Sequence, residues 1–596
     1  MTDFPVNDAA TTEGLPVAPS LAPALENVRM PIERSLVDGR VLVVSLWAFG
    51  LALVTGFVAQ ALVAIIALVT NISYYGRFSM AFTSPAGNHL GWPVLFVPAI
   101  GGVIVGLMAR YGSKAIRGHG IPEAMEQVLE NESRIPARIT FLKPLSAAIS
   151  IGTGGPFGAE GPIIATGGAL GSVVGQITKM TASERKTLLA AGAAAGMAAT
   201  FGSPVSAVLL AIELLLFEFR PRSIIPVAIA SATATAVRML YVGAAPMFAM
   251  PLLARPSAEA LAAYVIVGGL VGWLAVYVTG AVYWIEDLFE KLPIHWMWWP
   301  ALGGLVVGAV GIAAPRTLGV GYDNIEGMVS GRLAGEAVLF LAVMKFVSWA
   351  ISLGSGTSGG TLAPLFTIGG GCGVALGELA AREFPRLGID PRICALVGMA
   401  AMFAGASRAL LASVVFAFET TLQPMGLLPL LAGCTAGYAV SALLMRNTIM
   451  TEKLARRGVR VPAEYHADYL DRIQVAEAFT SEMVTLDADA SVGEIGDAFA
   501  VHQGFPVVDA LGRLVGILTR RDCVGRPSDA RIGDLVKRPA AVVFPDSSLR
   551  EAADLMIREN VGRLAVVERA DPTRAIGILT RSDLLGVHAK RLAEDV

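Results

Sequence analysis

The sequence predicts an all-α, polytopic membrane protein followed by a smaller α/β domain at the C-terminal end. Three observations support this prediction. The chain of 596 residues is 54% hydrophobic and only 16% charged, whereas a soluble protein carries about a quarter charged residues. Its apolar residues are grouped into uncharged runs of membrane-spanning length. After about residue 470, short charge-rich segments follow, in which strand-like and helix-like patterns alternate.

Uncharged runs locate the membrane domain. Runs beyond about 18 residues are candidate transmembrane helices, and runs above about 30 fit either one tilted helix or two joined spans. The runs are Val41 to Gly76, Gly161 to Thr178, Thr187 to Ile212, Leu261 to Ile285, Phe346 to Gly377 and Leu422 to Met445. We therefore expect residues 36–457 to form a transmembrane domain.

Charges at the two ends of this domain predict its orientation. Basic residues flank it on both sides: Arg29, Arg34, Arg40, Arg446, Lys453, Arg456, Arg457 and Arg460. Since basic flanks stay on the cytoplasmic side, we expect both termini in the cytoplasm and the protein in the cell (inner or plasma) membrane. Residues 1–35 show no signal-peptide pattern and are expected to form a cytoplasmic N-terminal segment. The net charge of −2 argues against a nucleic-acid partner.

One carboxylate, Glu160, stands just before the second uncharged run, in Gly158-Ala159-Glu160-Gly161-Pro162. An ionisable group at membrane depth costs about 2.5–3.5 kcal/mol, so its presence indicates a function. The glycines and the proline break the helix, which the membrane tolerates only where the backbone is buried or lines a wet cavity. The pattern therefore predicts a gated ion site.

Two further segments have the same character, Gly118-His119-Gly120-Ile121-Pro122 and Gly359-Gly360-Thr361-Leu362-Ala363-Pro364. Each is expected to open a helix, and a helix start presents unpaired N–H groups and about half a positive charge. Three such starts aimed inward can replace an anion's hydration shell without buried lysine or arginine. The predicted anion-binding residues of these segments are Gly118, His119, Gly120, Ile121, Gly158, Gly161, Thr361 and Leu362. A packing kink is the alternative for any one segment alone.

An internal echo predicts that the membrane domain has two halves. Gly196 to Phe201, which leads to Glu213, resembles Gly398 to Phe403, which leads to Glu419. Interrupted apolar segments also occur in both halves. In membrane proteins this combination indicates a binding site at the interface between repeats.

The order of these motifs resembles the CLC family of chloride channels and chloride/proton exchangers. The resemblance rests on Gly118 to Glu123, Lys143, Gly152 to Pro162, Ala191 to Glu213, Gly319 to Tyr322, and Lys345 through Ser352 to Pro364. It implies an inverted-repeat fold with broken helices, and a homodimer with one anion pathway per subunit. In that family the glutamate matching Glu160 is the gate. Its carboxylate would occupy an anion site when deprotonated, and would swing away and carry a proton when protonated.

Departures from the family pattern bear on which anion is preferred. His119 replaces the usual serine, Ala159 the common basic residue, and Thr361-Leu362 an aliphatic residue followed by phenylalanine. The tyrosine that touches the central anion aligns with Met450. We hypothesise that His119 is a neutral N–H donor to the inner anion, with a packed or solvent-facing histidine as the alternative. Nitrate, bromide and fluoride therefore stay open beside chloride.

A second departure bears on proton coupling. Exchangers of the family often carry an inner proton glutamate directly after the glutamate that matches Glu213, and this chain has Leu214 there. Glu218, one turn further, is a substitute, or else a solvated charge at the helix end. We expect an anion/proton antiporter gated by Glu160. The alternatives are a passive voltage- or pH-gated anion channel on the same scaffold and a transporter of another anion.

The tail contains its own repeat. Gly516 to Asp522 recurs as Gly577 to Asp583, and a repeat of about sixty residues with alternating strands and helices indicates a tandem α/β module. It resembles a pair of cystathionine-β-synthase-type (CBS) domains. We place a linker at 458–475, the first domain at 476–526 and the second at 531–590.

A ligand of the tail follows from that resemblance. In CBS modules a Thr-x-x-Asp ending binds the ribose of adenine nucleotides, which implies Thr519 with Asp522 and Thr580 with Asp583. A plain turn and helix cap is the alternative. No cofactor is required by the transport site, and the four cysteines show no metal-ligand spacing.

Other classes of function fit poorly. A cation transporter needs several acidic groups inside the spans, where Glu160, Glu213 and Glu419 stand almost alone. An intramembrane enzyme would need a His-Glu-x-x-His motif, a Ser/His pair in one apolar segment or paired aspartates, and none is present. We therefore expect no enzymatic activity, and the expected partners are a chloride-like anion, protons, the lipid bilayer and a second copy of the chain.

Overall fold

Two separately packed units make up the chain. The computed structural model describes residues 28–29, 39–459, 461, 470, 473–495 and 503–594. The membrane unit spans Leu36–Tyr465, and the second unit contains strand Val28–Arg29 together with the chain from His466 onward. Most of the expected N-terminal segment, 1–35, and much of the expected linker, 458–475, lie outside the described residues.

The membrane unit is built from helices, eight of which are long and apolar enough to cross a membrane among the residues described. In chain order the α-helices are α1 (Gly39–Tyr75), α2 (Val97–Tyr111), α3 (Ile121–Glu130), α4 (Ile139–Gly152), α5 (Glu160–Ile177), α6 (Ala182–Phe201), α7 (Pro204–Ala211), α8 (Pro221–Val242), α9 (Ala258–Glu290), α10 (Trp299–Ala313), α11 (Tyr322–Ser330), α12 (Glu336–Gly354), α13 (Leu362–Glu383), α14 (Pro391–Ser407), α15 (Leu410–Thr421), α16 (Leu427–Leu444) and α17 (Glu452–Arg456).

The uncharged runs correspond to these helices in different ways. The first run is the single helix α1, of 37 residues. The run from Thr187 to Ile212 is two helices, because Gly202 adopts a φ of +68° that ends α6 and Pro204 begins α7. The run from Phe346 to Gly377 is likewise divided between α12 and α13. Uncharged length alone therefore overestimates the continuity of the spans.

Glycines bring the inner helices into backbone contact. A Cβ added to Gly167 of α5 would overlap the carbonyl of Gly192 in α6, and one added to Gly369 of α13 would overlap the carbonyl of Gly398 in α14. Membrane helices pack through small residues in this way, because lipid supplies no hydrophobic force between them. The same kind of close pairing thus occurs in both halves of the unit.

Reciprocal capping joins the two halves at helices α7 and α15. The carboxylate of Glu213, in the π-helical turn Ile212–Leu216 after α7, accepts hydrogen bonds from the N–H groups of Leu411 and Ala412, both at 3.0 Å. Glu419 of α15 accepts from the N–H groups of Val205 and Ser206, both at 2.9 Å. Each helix therefore supplies the carboxylate that stabilises the positive end of the other.

In the part of the second unit that the structure describes, the strands form two small sheets. The strands are β1 (Val28–Arg29), β2 (Leu486–Asp487), β3 (Gly504–Val508), β4 (Leu514–Thr519), β5 (Ala540–Val543), β6 (Arg563–Glu568) and β7 (Asp571–Thr580). One sheet has the order β2-β3-β4 and the other β1-β5-β6-β7. In both, a parallel pair precedes an antiparallel hairpin, β3–β4 or β6–β7. The predicted tandem repeat is thus a repeat of the same strand pattern.

The described residues of the second unit also form the helices α18 (Arg520–Cys523), α19 (Ile532–Leu535), α20 (Leu549–Arg558) and α21 (Arg581–Glu594). Helix α18 follows directly on hairpin β3–β4, and α21 follows directly on β6–β7. Strand β1 adds to the second sheet through parallel pairing of Val28 with Ala540 and of Arg29 with Ala541.

Candidate functional site

The three glycine-broken segments meet inside the membrane unit. The N–H of Gly118 donates to the carbonyl of Thr357 at 2.9 Å. Gly158 and Gly360 exchange two backbone hydrogen bonds, with N–H to carbonyl distances of 3.3 and 3.0 Å. The segment around Gly360 therefore contacts both of the others, and the starts of α3, α5 and α13 form one cluster.

Glycine is required where the segments touch. A Cβ on Gly161 would overlap the carbonyl of His119, and a Cβ on Gly120, whose φ is +95°, would overlap the carbonyl of Gly161. Backbone atoms cannot give way as a flexible side chain can, and only glycine adopts such a φ without strain. The close approach of α3 to α5 therefore depends on these two glycines.

The Glu160 side chain lies at the centre of the cluster. It is 2% exposed, and its Oε1 accepts a hydrogen bond of 2.8 Å from the N–H of Ala363 in the first turn of α13. Its Oε2 accepts from the hydroxyl of Tyr322 at 3.3 Å. The carboxylate thus accepts a backbone hydrogen bond at the start of a helix, where an anion is electrostatically favoured.

Two small residues make room for this position of the carboxylate. A Cβ on Gly158 would overlap both carboxylate oxygens of Glu160, and a Cβ on Gly360 would lie 3.0 Å from the carboxyl carbon. The first overlap involves only the flexible end of a side chain, whereas Gly360 also faces the carbonyl of Gly158 at 2.7 Å. Gly158 therefore controls where the carboxylate can lie.

Tyr322 is a residue whose role the sequence did not reveal. Its oxygen accepts a hydrogen bond of 3.4 Å from the N–H of Ala159 while its hydroxyl donates to Glu160. Edge-to-face contacts with Phe201 and Phe248, at ring-centroid distances of 5.7 and 6.0 Å, hold the ring. Tyr322 is part of the Gly319 to Tyr322 motif, but its contact with Glu160 joins residues from opposite halves of the unit.

His119 is buried beside this cluster, with 5% of its surface exposed. Its Nδ1 has no hydrogen-bond partner, and the residue lines a cavity of about 520 Å³ that also touches Gly118 and Ile449. The other predicted anion-binding residues are buried as well: Ile121, Thr361, Leu362 and Met450. Met450 follows Ile449 and packs into the hydrophobic core of the unit.

Two lysines of the membrane unit are buried, Lys143 and Lys345. Nζ of Lys143 donates to the carbonyls of Ile116 and Gly118, at 2.9 and 2.8 Å. Nζ of Lys345 donates to the carbonyls of Thr317 and Gly319, both at 2.9 Å. These hydrogen bonds partly compensate the burial of each ammonium and connect it to the loop before α3 or before α11. Both lysines belong to the motifs that carry the resemblance, but their contacts with loop carbonyls were not predicted, because those carbonyls are 25 to 28 positions away in the chain.

Glu218, the suggested substitute for the inner proton glutamate, is already engaged. It accepts a hydrogen bond of 2.5 Å from the Ser223 hydroxyl and forms an ion pair with Lys186 at 3.6 Å. Leu214 is buried in the hydrophobic core. Glu218 is thus bound to Ser223 and Lys186, whereas the alternative interpretation was a solvated charge at the helix end.

The tail contains a separate cavity of about 430 Å³. Thr519 and Asp522 line it, together with the cationic side chains Arg521, Lys537, Arg538 and Arg563. The N–H and hydroxyl of Thr519 both donate to Asp522, at 3.0 and 2.5 Å.

The second Thr-x-x-Asp pair forms the same cap. The N–H and hydroxyl of Thr580 donate to Asp583, at 2.7 and 2.8 Å. The described residues that line the cavity do not include this pair. Both pairs therefore cap helices, and one of them also faces a cation-rich cavity.

Comparison with protein families gives two matches. A family model described as "Voltage gated chloride channel" matches residues 101–442. A model described as "CBS domain" matches residues 475–529 and 532–590.

Curated relatives include transporters. The chain is 29% identical over 378 residues to "H(+)/Cl(-) exchange transporter ClcA" of Yersinia pestis bv. Antiqua (strain Angola), a match that covers 62% of this chain and 78% of the relative. It is 29% identical over 385 residues to the protein of the same name from Klebsiella pneumoniae subsp. pneumoniae, covering 62% and 81%.

Solved structures show the same fold. A slow cyanobacterial Cl−/H+ antiporter superposes with a TM-score of 0.64 at 23% identity, covering 71% of this chain and 98% of that one. A eukaryotic CLC transporter gives a TM-score of 0.58 at 22% identity, covering 91% and 98%. A CLC-type fluoride/proton antiporter gives 0.55 at 22%, covering 66% and 95%. At these identities the likeness concerns the fold alone.

Proposed function

Since the chain belongs to the voltage-gated chloride channel family, we propose that it exchanges chloride-like anions for protons across the cell membrane, with Glu160 as the gate. One observation carries this proposal: the Glu160 carboxylate lies on the N–H of Ala363, at the start of α13. The ClcA relatives of Yersinia and Klebsiella are named as H+/Cl− exchange transporters, which supports the same chemistry here.

The exchange follows from competition for one position. A deprotonated Glu160 is itself an anion and fills the place at the start of α13 that a transported anion would take. Protonation removes its charge and weakens its hold on the helix start, so the side chain leaves and an anion enters. Occupancy by the anion thereby favours the protonated carboxyl, which couples the two ions.

Replacement of Glu160 by glutamine tests the gate. We expect Glu160→Gln in liposomes to conduct anions down their gradient without moving protons, because a glutamine amide does not bind and release a proton near neutral pH. Glu336→Gln, at the exposed start of α12, is the control and should exchange like the wild type. If Glu160→Gln still drives protons with the anion, Glu160 is not the gate.

A passive anion channel is the second candidate. The observation in its favour is the buried Leu214 at the position of the usual inner proton glutamate, together with the engagement of Glu218. In a channel, anion efflux from wild-type liposomes would proceed with no proton uptake at any pH gradient.

His119 is proposed to contact the anion on the inner side. Its Nδ1 is buried without a partner, and with the ring proton on Nδ1 this nitrogen would donate to the anion. Replacement by serine restores the residue usual in the family, so we expect His119→Ser to change the order of chloride, bromide, nitrate and fluoride fluxes. An unchanged order and pH profile would remove His119 from the anion path.

The tail is proposed to bind an adenine nucleotide at the cation-lined cavity. Asp522 would accept from ribose hydroxyls, and Arg521, Lys537, Arg538 and Arg563, which line the same cavity, would supply positive charge for phosphates. Binding of ATP and of AMP to the full-length protein can be measured by equilibrium dialysis. Arg538→Ala should weaken the binding of ATP more than the binding of AMP, because ATP carries more phosphate charge. If the wild-type protein binds neither nucleotide, the proposed site is wrong.

The assembly and its orientation are proposals of the same kind. We propose a homodimer in the cell membrane, with both termini cytoplasmic. Light scattering of the detergent-solubilised protein measures the number of subunits, and reporter fusions at each end measure their side. A monomeric mass, or a terminus outside the cytoplasm, would contradict the proposal.

A further inference from the structure

The cavity beside His119 is lined by several charged side chains. Four of its lining carboxylates are Glu123, Glu126, Glu286 and Glu290. The cavity also touches Lys453 and Arg457. Lys453 lies in α17, the short helix that comes after the last long helix, α16. It is therefore a polar space at the end of the unit where the chain leaves it, and a polar space of this size holds water.

Two of the four carboxylates are fully engaged. Glu123 forms an ion pair of 2.7 Å with Lys453 and accepts the N–H of Gly120 at 2.7 Å. Both oxygens of Glu126 accept from Nη1 of Arg457, at 2.7 Å. Proton exchange at either group would break these contacts, since a protonated carboxyl loses the ion pair.

Glu286 differs from the other three. Among the described residues it forms no ion pair within 4.0 Å, and it is half-buried near the end of α9, whereas Glu290 is exposed. The charged groups that interact with it are Arg117, Lys453, Arg456 and, on its own helix, Glu290. Glu286 is thus a carboxylate that faces a wet cavity without a fixed partner.

Only the backbone of residues 118–119 and of the start of α5 separates the cavity from the region of Glu160. The wall formed by Gly118 and His119 touches the start of α5, because the carbonyl of His119 lies against Gly161. Glu160 is the residue before Gly161. The buried Nδ1 of His119, which has no partner, lies in the same wall.

We propose that Glu286 is the group that exchanges protons between Glu160 and the solution on this side of the membrane. The inference rests on the proposed exchange of anions for protons. Once protonated, the Glu160 side chain leaves the start of α13 and gives its proton to water, from which the carboxylate of Glu286 accepts the proton and passes it to bulk water. The charge on Glu160 is restored, and no other bond is made or broken.

Paired flux measurements on the full-length protein in liposomes test the role of Glu286. In Glu286→Gln we expect anion flux to persist while proton flux per anion falls on the order of tenfold or more, as for loss of a positioned acid–base group. Glu286→Asp, which keeps the carboxyl, should retain most of the coupling. Glu290→Gln and Glu126→Gln are matched controls in the same cavity and should exchange like the wild type.

Each outcome separates this inference from the proposed function. If wild type couples protons and Glu286→Gln couples them equally, Glu286 is not the proton site although the exchange stands. Loss of anion flux together with proton flux in Glu286→Gln, with an unchanged elution volume and melting temperature, also overturns it. If wild-type protein moves no protons, the proposed exchange itself fails first.

Discussion

At the scale of single residues, the position of one carboxylate organises the site. Glu160 accepts from the N–H of Ala363 at the start of α13 and from the hydroxyl of Tyr322 in the other half, so two donors hold the carboxylate in its observed position, which is the closed position of the proposed gate. A functional Glu160 could be proposed from sequence, because burying a lone acid in an apolar, glycine-broken segment of a membrane protein is costly. The hydroxyl of Tyr322 could not, because its partner is 162 positions away in the chain.

Gly158→Ala should displace the Glu160 carboxylate. The added methyl would overlap both carboxylate oxygens, and the flexible side chain can move away at little expense of stability. We expect faster anion flux with weaker proton coupling, and a melting temperature near that of the wild type. Gly168→Ala is the control, since its methyl would meet atoms no closer than 3.5 Å. Coupling unchanged in Gly158→Ala would contradict the closed position.

Tyr322→Phe removes one of the two donors to Glu160. The net value of such a hydrogen bond is about 1 kcal/mol, so the closed carboxylate should open several-fold more often at high pH, where it is ionised. Anion efflux from liposomes at high pH measures this. Tyr74→Phe also loses a buried hydroxyl bond, of 2.9 Å to the Thr153 carbonyl, but it should leave efflux unchanged. Equal efflux in wild type and Tyr322→Phe would exclude the contact from gating.

At the scale of elements, the internal echo predicted two halves, and the structure shows what its glutamates do. Glu213, just after α7, caps the start of α15, and Glu419, in α15, caps the start of α7. Their reciprocity was not visible in sequence, because capping across halves depends on how the helices cross. The break within Thr187 to Ile212 was also missed, since a buried kink carries no charge to mark it.

Loss of either cap should destabilise the membrane unit. Glu213→Ala and Glu419→Ala each leave two helix-start N–H groups without a carboxylate, which costs about 1–3 kcal/mol. Because α7 and α15 share both caps, the double variant should lose less than the sum of the two single changes. Thermal unfolding in detergent measures the loss. Glu383→Ala, at an exposed ion pair with Arg382, should change stability little, and an equal loss there would refute the capping argument.

At the scale of the whole molecule, the fold class and the tandem tail were evident from composition and repeats. The convergence of three distant helix starts was inferred from the likeness of their motifs, and the backbone contacts of Gly118, Gly158 and Gly360 realise it. The buried Lys143 and Lys345 were not anticipated. Their charges are absorbed by loop carbonyls, a use of lysine that residue type alone does not reveal.

The reversal potential of the wild-type protein in a planar bilayer, the voltage at which the net current is zero, measures proton coupling most directly. With equal anion concentrations on both sides and a tenfold proton gradient, an exchanger must balance the two ions, so the voltage of zero current is expected to shift away from zero and to change sign when the gradient is reversed. A zero-current voltage that stays at zero under both gradients would contradict exchange and identify a passive anion channel.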